Sequence, residues 1–179
     1  MRRSATLALL VLASMWFAPL PMAGADDPGP VVILGPAPFV GPDAMIRAQE
    51  SATYVGADSH GAGRIEQSIT QFQRAVSYVR ICAGTTSGRM RVDGTGGGRS
   101  FRVTYRVGRH DVTRKVVSGS YRTRRLHDGD CARVIKVVAR LRTGRVSNGR
   151  TLQVRATSPS RARDSVSTHI TVVGPYVVP

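Results

Sequence analysis

The chain has 179 residues, with 26 Lys plus Arg against 11 Asp plus Glu, two Cys, one Trp, 41% hydrophobic side chains and a formal net charge of +15. That length allows one ordinary domain plus a short extra segment and excludes a large multidomain enzyme. The apolar content is too high for a wholly disordered basic tail and too dispersed for a polytopic membrane protein, and two cysteines cannot build a four-Cys zinc site.

Met1-Arg2-Arg3 is a short positive start, followed by an apolar run over residues 5–20 and then Ala23-Gly24-Ala25-Asp26. This is the three-part layout of a secretory signal peptide, with cleavage expected after Ala25. A membrane anchor is the alternative. The apolar run is only about 16 residues against the roughly 17 needed to span a bilayer, and Pro19 and Pro21 interrupt its end. No Cys lies near the cleavage point for lipid attachment, and no later run is long enough to cross a membrane. The expectation is a secreted or extracytoplasmic chain, with a signal peptide over residues 1–25 and no transmembrane segment after cleavage.

Residues 26–42 carry Pro28, Pro30, Pro36, Pro38 and Pro42 among glycines, which predicts an extended segment and not a helix. The tail over residues 175–179, Pro-Tyr-Val-Val-Pro, has the same character. Charge shifts along the chain. Residues 26–59 hold Arg47 against Asp26, Asp27, Asp43, Glu50 and Asp58, and nearly all the remaining basic side chains lie beyond residue 60.

From Asp43 onward the dominant signal is alternation. Phe101, Val103, Tyr105 and Val107 alternate with Arg102, Thr104 and Arg106; Leu152, Val154 and Ala156 with Gln153, Arg155 and Thr157; Val166, Thr168, Ile170 and Val172 with Ser167, His169 and Thr171. A period of two sends one set to a core and the other to water. Less regular runs cover residues 45–48, 73–82, 89–93, 114–117 and 131–141. The last of these also fits a buried helix, but its β-branched content and its flanking Gly129 and Gly144 favour a strand. Turn residues punctuate the runs at 94–98, Gly108, Gly119, Asp128-Gly129, Asn148-Gly149 and Ser158-Pro159, and they predict tight hairpins. The spacing predicts one all-β domain over residues 43–174, an antiparallel sandwich or barrel.

The order of segments resembles an immunoglobulin-like module of bacterial secreted and cell-surface proteins. The resemblance rests on Pro42-Asp-Ala-Met-Ile-Arg47, Tyr54-Val-Gly56 and Ala75-Val-Ser-Tyr-Val-Arg-Ile81. It continues through Phe101-Arg-Val-Thr-Tyr105, Asp111-Val-Thr113, Val117-Ser-Gly-Ser-Tyr121, Leu126-His-Asp-Gly129 and Val154-Arg-Ala-Thr-Ser158, and ends at Asp164. It implies an immunoglobulin-like antiparallel β-sandwich serving as a spacer, adhesive or accessory module without a catalytic centre. Where such modules commonly carry Asn after the segment ending at Ile81, this chain has Cys82.

Cys82 ends one predicted strand and Cys131 begins another. An even count in an oxidising compartment favours a disulfide between them over two free buried thiols, and closing that loop contributes roughly 4 kcal/mol in the chain-entropy model. The histidines, His60, His110, His127 and His169, show no metal-ligand spacing. His127-Asp128-Gly129-Asp130 offers carboxylates but lacks the further ligands of a Ca²⁺ loop, so a turn is the plainer reading. The run over residues 94–100 has no Lys after its last Gly and leads into alternation, as a flexible hairpin loop would and a phosphate-cradling loop would not. Serine-nucleophile signatures are absent. The expectation is a non-catalytic protein with no cofactor and no metal.

Basic excess is the one feature left to carry function. Arg102 and Arg106 share a solvent-side face, as do Arg122 and Arg124, and Arg89 and Arg91; Lys136, Arg140 and Arg142 follow on the long segment. If neighbouring strands align, these nine form an arginine-rich sheet face, and arginine binds phosphate and carboxylate bidentately. The expected partners are anionic cell-wall polymers, anionic lipid or nucleic acid, or another surface protein. The alternative is compositional: charge alternating with apolar residues is how any half-solvated strand reads, and Arg protects sheet edges. The tyrosines, Tyr54, Tyr78, Tyr105, Tyr121 and Tyr176, read mainly as core or turn residues.

Overall fold

The computed structural model describes residues 41–56, 63–143, 145 and 147–174. The expected signal peptide, residues 26–40 of the Pro/Gly-rich lead and the tail at 175–179 lie outside them. Among the described residues, ten strands and one short helix follow in the order β1 (Asp43–Ala48), β2 (Gly63–Ile69), β3 (Arg74–Cys82), β4 (Gly88–Gly94), β5 (Phe101–Val107), β6 (His110–Asp111), α1 (Thr113–Val117), β7 (Tyr121–Leu126), β8 (Ile135–Leu141), β9 (Gly149–Thr157) and β10 (Arg163–Val172). They form two five-stranded sheets, sheet A in the order β1-β3-β8-β5-β6 and sheet B in the order β2-β10-β9-β4-β7.

The core is made by the apolar members of the alternating pairs. Sheet A contributes Ile46, Val79, Ile81, Phe101, Val103, Tyr105, Ile135, Val137 and Ala139; sheet B contributes Met90, Val92, Leu126, Leu152, Val154, Ala156, Val166 and Ile170, all buried. Each large aliphatic or aromatic side chain taken fully from water contributes about 1.5–3 kcal/mol. Polar ties link the layers inside this core. Gln67 of β2 donates to the Ser77 hydroxyl at 2.8 Å and to the Thr168 hydroxyl at 3.3 Å, and its side-chain oxygen accepts the Val76 N–H at 3.1 Å.

Sheet A is antiparallel throughout, but the fully antiparallel arrangement expected from the sequence does not hold for sheet B, where β2 runs parallel to β10 with Gly63 opposite Val166 and Ile69 opposite Val172. The turns also differ from expectation. Gly108 does close a two-residue hairpin between β5 and β6, and Ser158 to Ala162 closes β9 onto β10. The segments around Gly94–Gly98, Asp128-Gly129 and Asn148-Gly149 are instead crossovers between the two sheets.

The glycine-rich crossover is held in place and is not a flexible hairpin. Thr95 N–H bonds the Gln153 carbonyl at 2.9 Å, the buried Tyr105 hydroxyl donates to the Thr95 carbonyl at 2.8 Å, and Arg150 donates to the Gly97 carbonyl. A Cβ on Gly97 would collide with the Phe101 carbonyl oxygen, so the backbones meet there only because the side chain is absent.

Residues 114–117 form the helical turn α1 and not the expected strand. Asp111 Oδ1 accepts the Thr113 N–H at 2.8 Å, which starts the turn, and Gly119, at φ 66°, ends it. Val116 is the buried residue of this turn. The segment 131–141 is extended, with no helix, although β8 proper begins only at Ile135.

Cys82 and Cys131 form a disulfide, 49 residues apart in sequence. They stand directly opposite each other in an isolated antiparallel bridge, flanked by Ala83 N–H to the Asp130 carbonyl at 2.9 Å and Ala132 N–H to the Ile81 carbonyl at 2.8 Å. Because the hydrogen bonds lie outside the pair, the two backbones are at the closer of the two antiparallel spacings, with Cα atoms 3.9 Å apart.

Candidate anion-binding face

The alternation that fills the core also decides what stands on the outer surface of sheet A. Residues directly opposite on neighbouring strands project to the same side. The register pairs Arg74 of β3 with Arg140 of β8, and Arg140 with Arg102 of β5. Three arginines therefore stand side by side across three strands, a row of about 10 Å at the usual inter-strand spacing. Two residues further along each strand the row is Val76, Val138 and Thr104. Beyond it lies a third row, in which Arg47, Tyr78, Lys136, Arg106 and Asp111 stand opposite one another in turn. A shallow depression of about 260 Å³ lies over this face, lined by the arginine row, the Val138–Thr104 strip, Arg106 and Lys136.

Like charges placed directly opposite across strands are destabilising. The Arg74–Arg140–Arg102 row accepts that cost, and among the described residues none of the three makes an ion pair. In and beside the third row, Arg47, Lys136 and Arg80 are held by aromatic faces. Arg47 lies 4.5 Å from the Tyr78 ring centre and 5.3 Å from that of Tyr54; Arg80 lies 4.7 Å from Tyr54, and Lys136 5.8 Å from Tyr78. Such contacts fix a cation without cancelling its charge. Arg47 is further oriented by a 2.7 Å hydrogen bond to the Ser51 carbonyl. At the sheet edge, the Asp111 carboxyl is held below the usual carboxylate range, first by hydrogen bonds from the side chain and backbone of Thr113, then by Arg106 and Arg102.

Of the nine candidate basic residues, Arg102, Arg106, Lys136 and Arg140 come together on this face. Arg142 stands just past the end of β8, its N–H bonded to the Ser100 carbonyl at 2.8 Å. Arg89, Arg91, Arg122 and Arg124 do not join them, because β4 and β7 belong to sheet B. There Arg91 faces Arg122, and Arg89 faces Arg125, across a register shift that leaves both Arg124 and Arg125 exposed. Acids enter that second group: Asp93 stands opposite Arg155, and Arg124 lies 3.6 Å from Asp130. The single arginine face expected from the sequence is thus two faces, and the one on sheet A is the less neutralised.

Sequence pattern alone does not single out Arg47, Arg74 or Arg80, which the register brings to this face. It also misassigns Tyr54 and Tyr78, which are half-buried partners of arginine on the outer surface. The parity of Arg74, Tyr78 and Arg80 along β3 was the available signal. His60 lies outside the described residues; the described histidines lie apart, His110 on β6, His127 in the turn before Cys131 and His169 on β10, where Nδ1 lies 2.9 Å from the Thr151 hydroxyl.

No protein family and no curated protein sequence matches this chain. Among solved structures it is similar to the FixG-related protein from Vibrio parahaemolyticus, at 7% identity and a TM-score of 0.43, covering 75% of this chain and 98% of that one. The N-terminal domain of PorA gives 7% identity and a TM-score of 0.42, covering 73% and 98%. The VesB protease of Vibrio cholerae gives 10% and 0.36, covering 62% of this chain and 31% of the protease.

Proposed function

We propose that this chain is a non-catalytic, immunoglobulin-like surface or matrix module of the extracytoplasmic space that binds polyanions through the outer face of sheet A. An immunoglobulin sandwich places its A, B, E and D strands in one sheet and C, F and G in the other. In support of that reading, β1, β3, β8 and β5 take the first set of positions and β4, β9 and β10 the second. Three strands lie outside those positions: β2 beside β10, β6 beside β5, and β7, which lies beside β4 but follows β5 in the chain. A disulfide favours an oxidising compartment, and among the described residues no helix is long and apolar enough to cross a membrane.

The observation that carries the binding reading is Arg140, with an arginine directly opposite on each side and, among the described residues, no ion pair to any of the three. Sulfate, phosphate or carboxylate groups repeating along a polymer would relieve that repulsion through bidentate hydrogen bonds. The test is retention on heparin and titration of a DNA duplex at several salt concentrations. The double variant Arg102→Ala/Arg140→Ala should flatten the logarithmic salt dependence by about 1–2 units, since each phosphate contact accounts for about 0.9. The equally charged double variant Arg89→Ala/Arg91→Ala should change it less. Equal loss from both variants would reduce the binding to net charge alone and refute the reading.

A further inference from the structure

Phe72 is 90% exposed, more than any other large apolar side chain among the described residues. It is not presented by a loose loop. The connection between β2 and β3 is a tight turn in which the Gln73 N–H bonds the Thr70 carbonyl at 3.1 Å, while the Gln73 side-chain oxygen accepts the Thr70 N–H at 3.0 Å. Val173, 46% exposed, lies at the same pole of the sandwich, because its N–H donates to the Ile69 carbonyl at 2.8 Å.

A single exposed Phe is ordinary; its surroundings here are not. With Arg102, Arg140 and Arg142 it lines one depression of about 360 Å³, in which no carboxylate takes part. Phe72 also joins Arg74 and Arg140 in a depression of about 730 Å³ that Glu50 and Glu66 share, and Glu66 is ion-paired with Arg64 at 3.1 Å. From Phe72 the arginines continue onto the outer face of sheet A, where Arg74, Arg102 and Arg140 line the depression described above.

An apolar ring standing clear of a basic apron is the arrangement that suits an interface between water and an anionic bilayer. The ring enters the boundary of headgroups and acyl chains, and the guanidinium groups pair with lipid phosphates. We propose that this pole docks on an anionic lipid surface, with Phe72 inserted and Arg74, Arg102, Arg140 and Arg142 on the phosphates. The same arginines belong to the outer face of sheet A, so the domain tilts with that face toward the membrane. Single-stranded nucleic acid fits less well. It needs a line of free aromatic faces, whereas Phe72 stands alone at the tip of its turn and the rings of Tyr54 and Tyr78 are covered by Arg47, Arg80 and Lys136.

This inference rests on the cationic face proposed above, and its experiment separates the two. Cosedimentation is measured with vesicles of phosphatidylcholine alone and with 30% phosphatidylglycerol (about a third anionic, a strongly charged surface), beside heparin retention and binding to a single-stranded oligonucleotide. Parent and variant share the rest of the chain, so the apolar run over residues 5–20 contributes equally to both. Phe72→Ala should weaken partition onto the anionic vesicles about tenfold, the order expected for one buried aromatic side chain, and leave heparin retention unchanged. Phe72→Leu should keep most of the binding. Equal partition of parent and Phe72→Ala overturns the insertion while sparing the polyanion reading. So does binding to the oligonucleotide that depends on Phe72 when vesicles are not bound. Loss of both heparin and vesicle binding in the parent overturns both.

Discussion

Asp164, near the start of β10, accepts the backbone N–H of Ala44 on β1 through Oδ2 at 2.7 Å, so a buried carboxylate of sheet B caps an edge strand of sheet A. Its other oxygen, Oδ1, accepts the Ser165 N–H at 2.7 Å. Removing an acceptor from a buried donor costs about 1–3 kcal/mol, more when the acceptor is charged. Asp164→Ala should therefore lower stability in urea by at least that amount, and Asp164→Asn by less, because the amide oxygen still accepts. An unchanged midpoint for Asp164→Ala would show that β1 is held by its pairing with β3 and its bridge to Val55 without this bond.

The disulfide should contribute on a similar or larger scale. Closing a loop of this length restricts the unfolded chain by roughly 4 kcal/mol in the chain-entropy model. Adding reductant, or replacing both cysteines by serine, should lower the melting temperature by many degrees. Sheet pairing at β3–β8 should survive below the new midpoint, since its ladder runs from Arg74 to Val79, away from the cysteines. Far-ultraviolet circular dichroism with and without reductant checks both statements.

Tyr105 provides an alkaline test. Burial pushes its phenol well above the ordinary value of 10.0, with Arg150 opposing and Asp93 reinforcing the rise. The folded protein then holds this proton more tightly than the unfolded chain does, so the contribution is complete below about pH 10 and is lost as pH rises beyond it. Spectrophotometric titration should show Tyr105 resisting ionisation until the protein unfolds, with Tyr121, also raised by burial, titrating later than an exposed tyrosine. Tyr105→Phe should remove that group and lose part of the alkaline decline, at the cost of the bond to the Thr95 carbonyl.

Asp111 gives the converse. Its carboxyl is held low, chiefly by Thr113, so its contribution is present above the ordinary carboxylate pKa of about 4 and is lost as pH falls through the lower folded value. The parent should be slightly more stable than Asp111→Asn at neutral pH, and the difference should close on acidification. The group is almost wholly exposed, so the effect is small. A chemical shift titration of Asp111 in Thr113→Ala, showing the carboxyl moved part of the way back toward its ordinary value while the backbone bond remains, checks the assigned cause.

What the sequence makes legible is set by how local each signal is. Phe101, Val103 and Tyr105 announce β5 because every second residue is apolar and all three enter the core. β2 escapes notice because Gln67 occupies an inward position, where it is satisfied by Ser77, Thr168 and Val76, groups on two other strands. α1 is misread because its two valines favour strands, and only a hydrogen bond from its backbone to Asp111 starts the turn. The cationic face is partly legible. Parity places Arg102 and Arg106 together, but which strands adjoin is a long-range fact that brings Arg74 beside Arg140 and sends Arg89 and Arg122 to the other sheet.

The parallel pairing of β2 with β10 bears on the way the protein is made. A ribosome releases β2 about a hundred residues before the strand it pairs with, since the ladder needs Val166 to Val172. Until then its backbone donors and acceptors on that side can be met only by water or by some wrong partner. The second layer can therefore close only late in vectorial synthesis, and a fragment stopped before Arg163 would leave β2 without its neighbour and β9 open along one edge, the condition under which sheet proteins associate with one another.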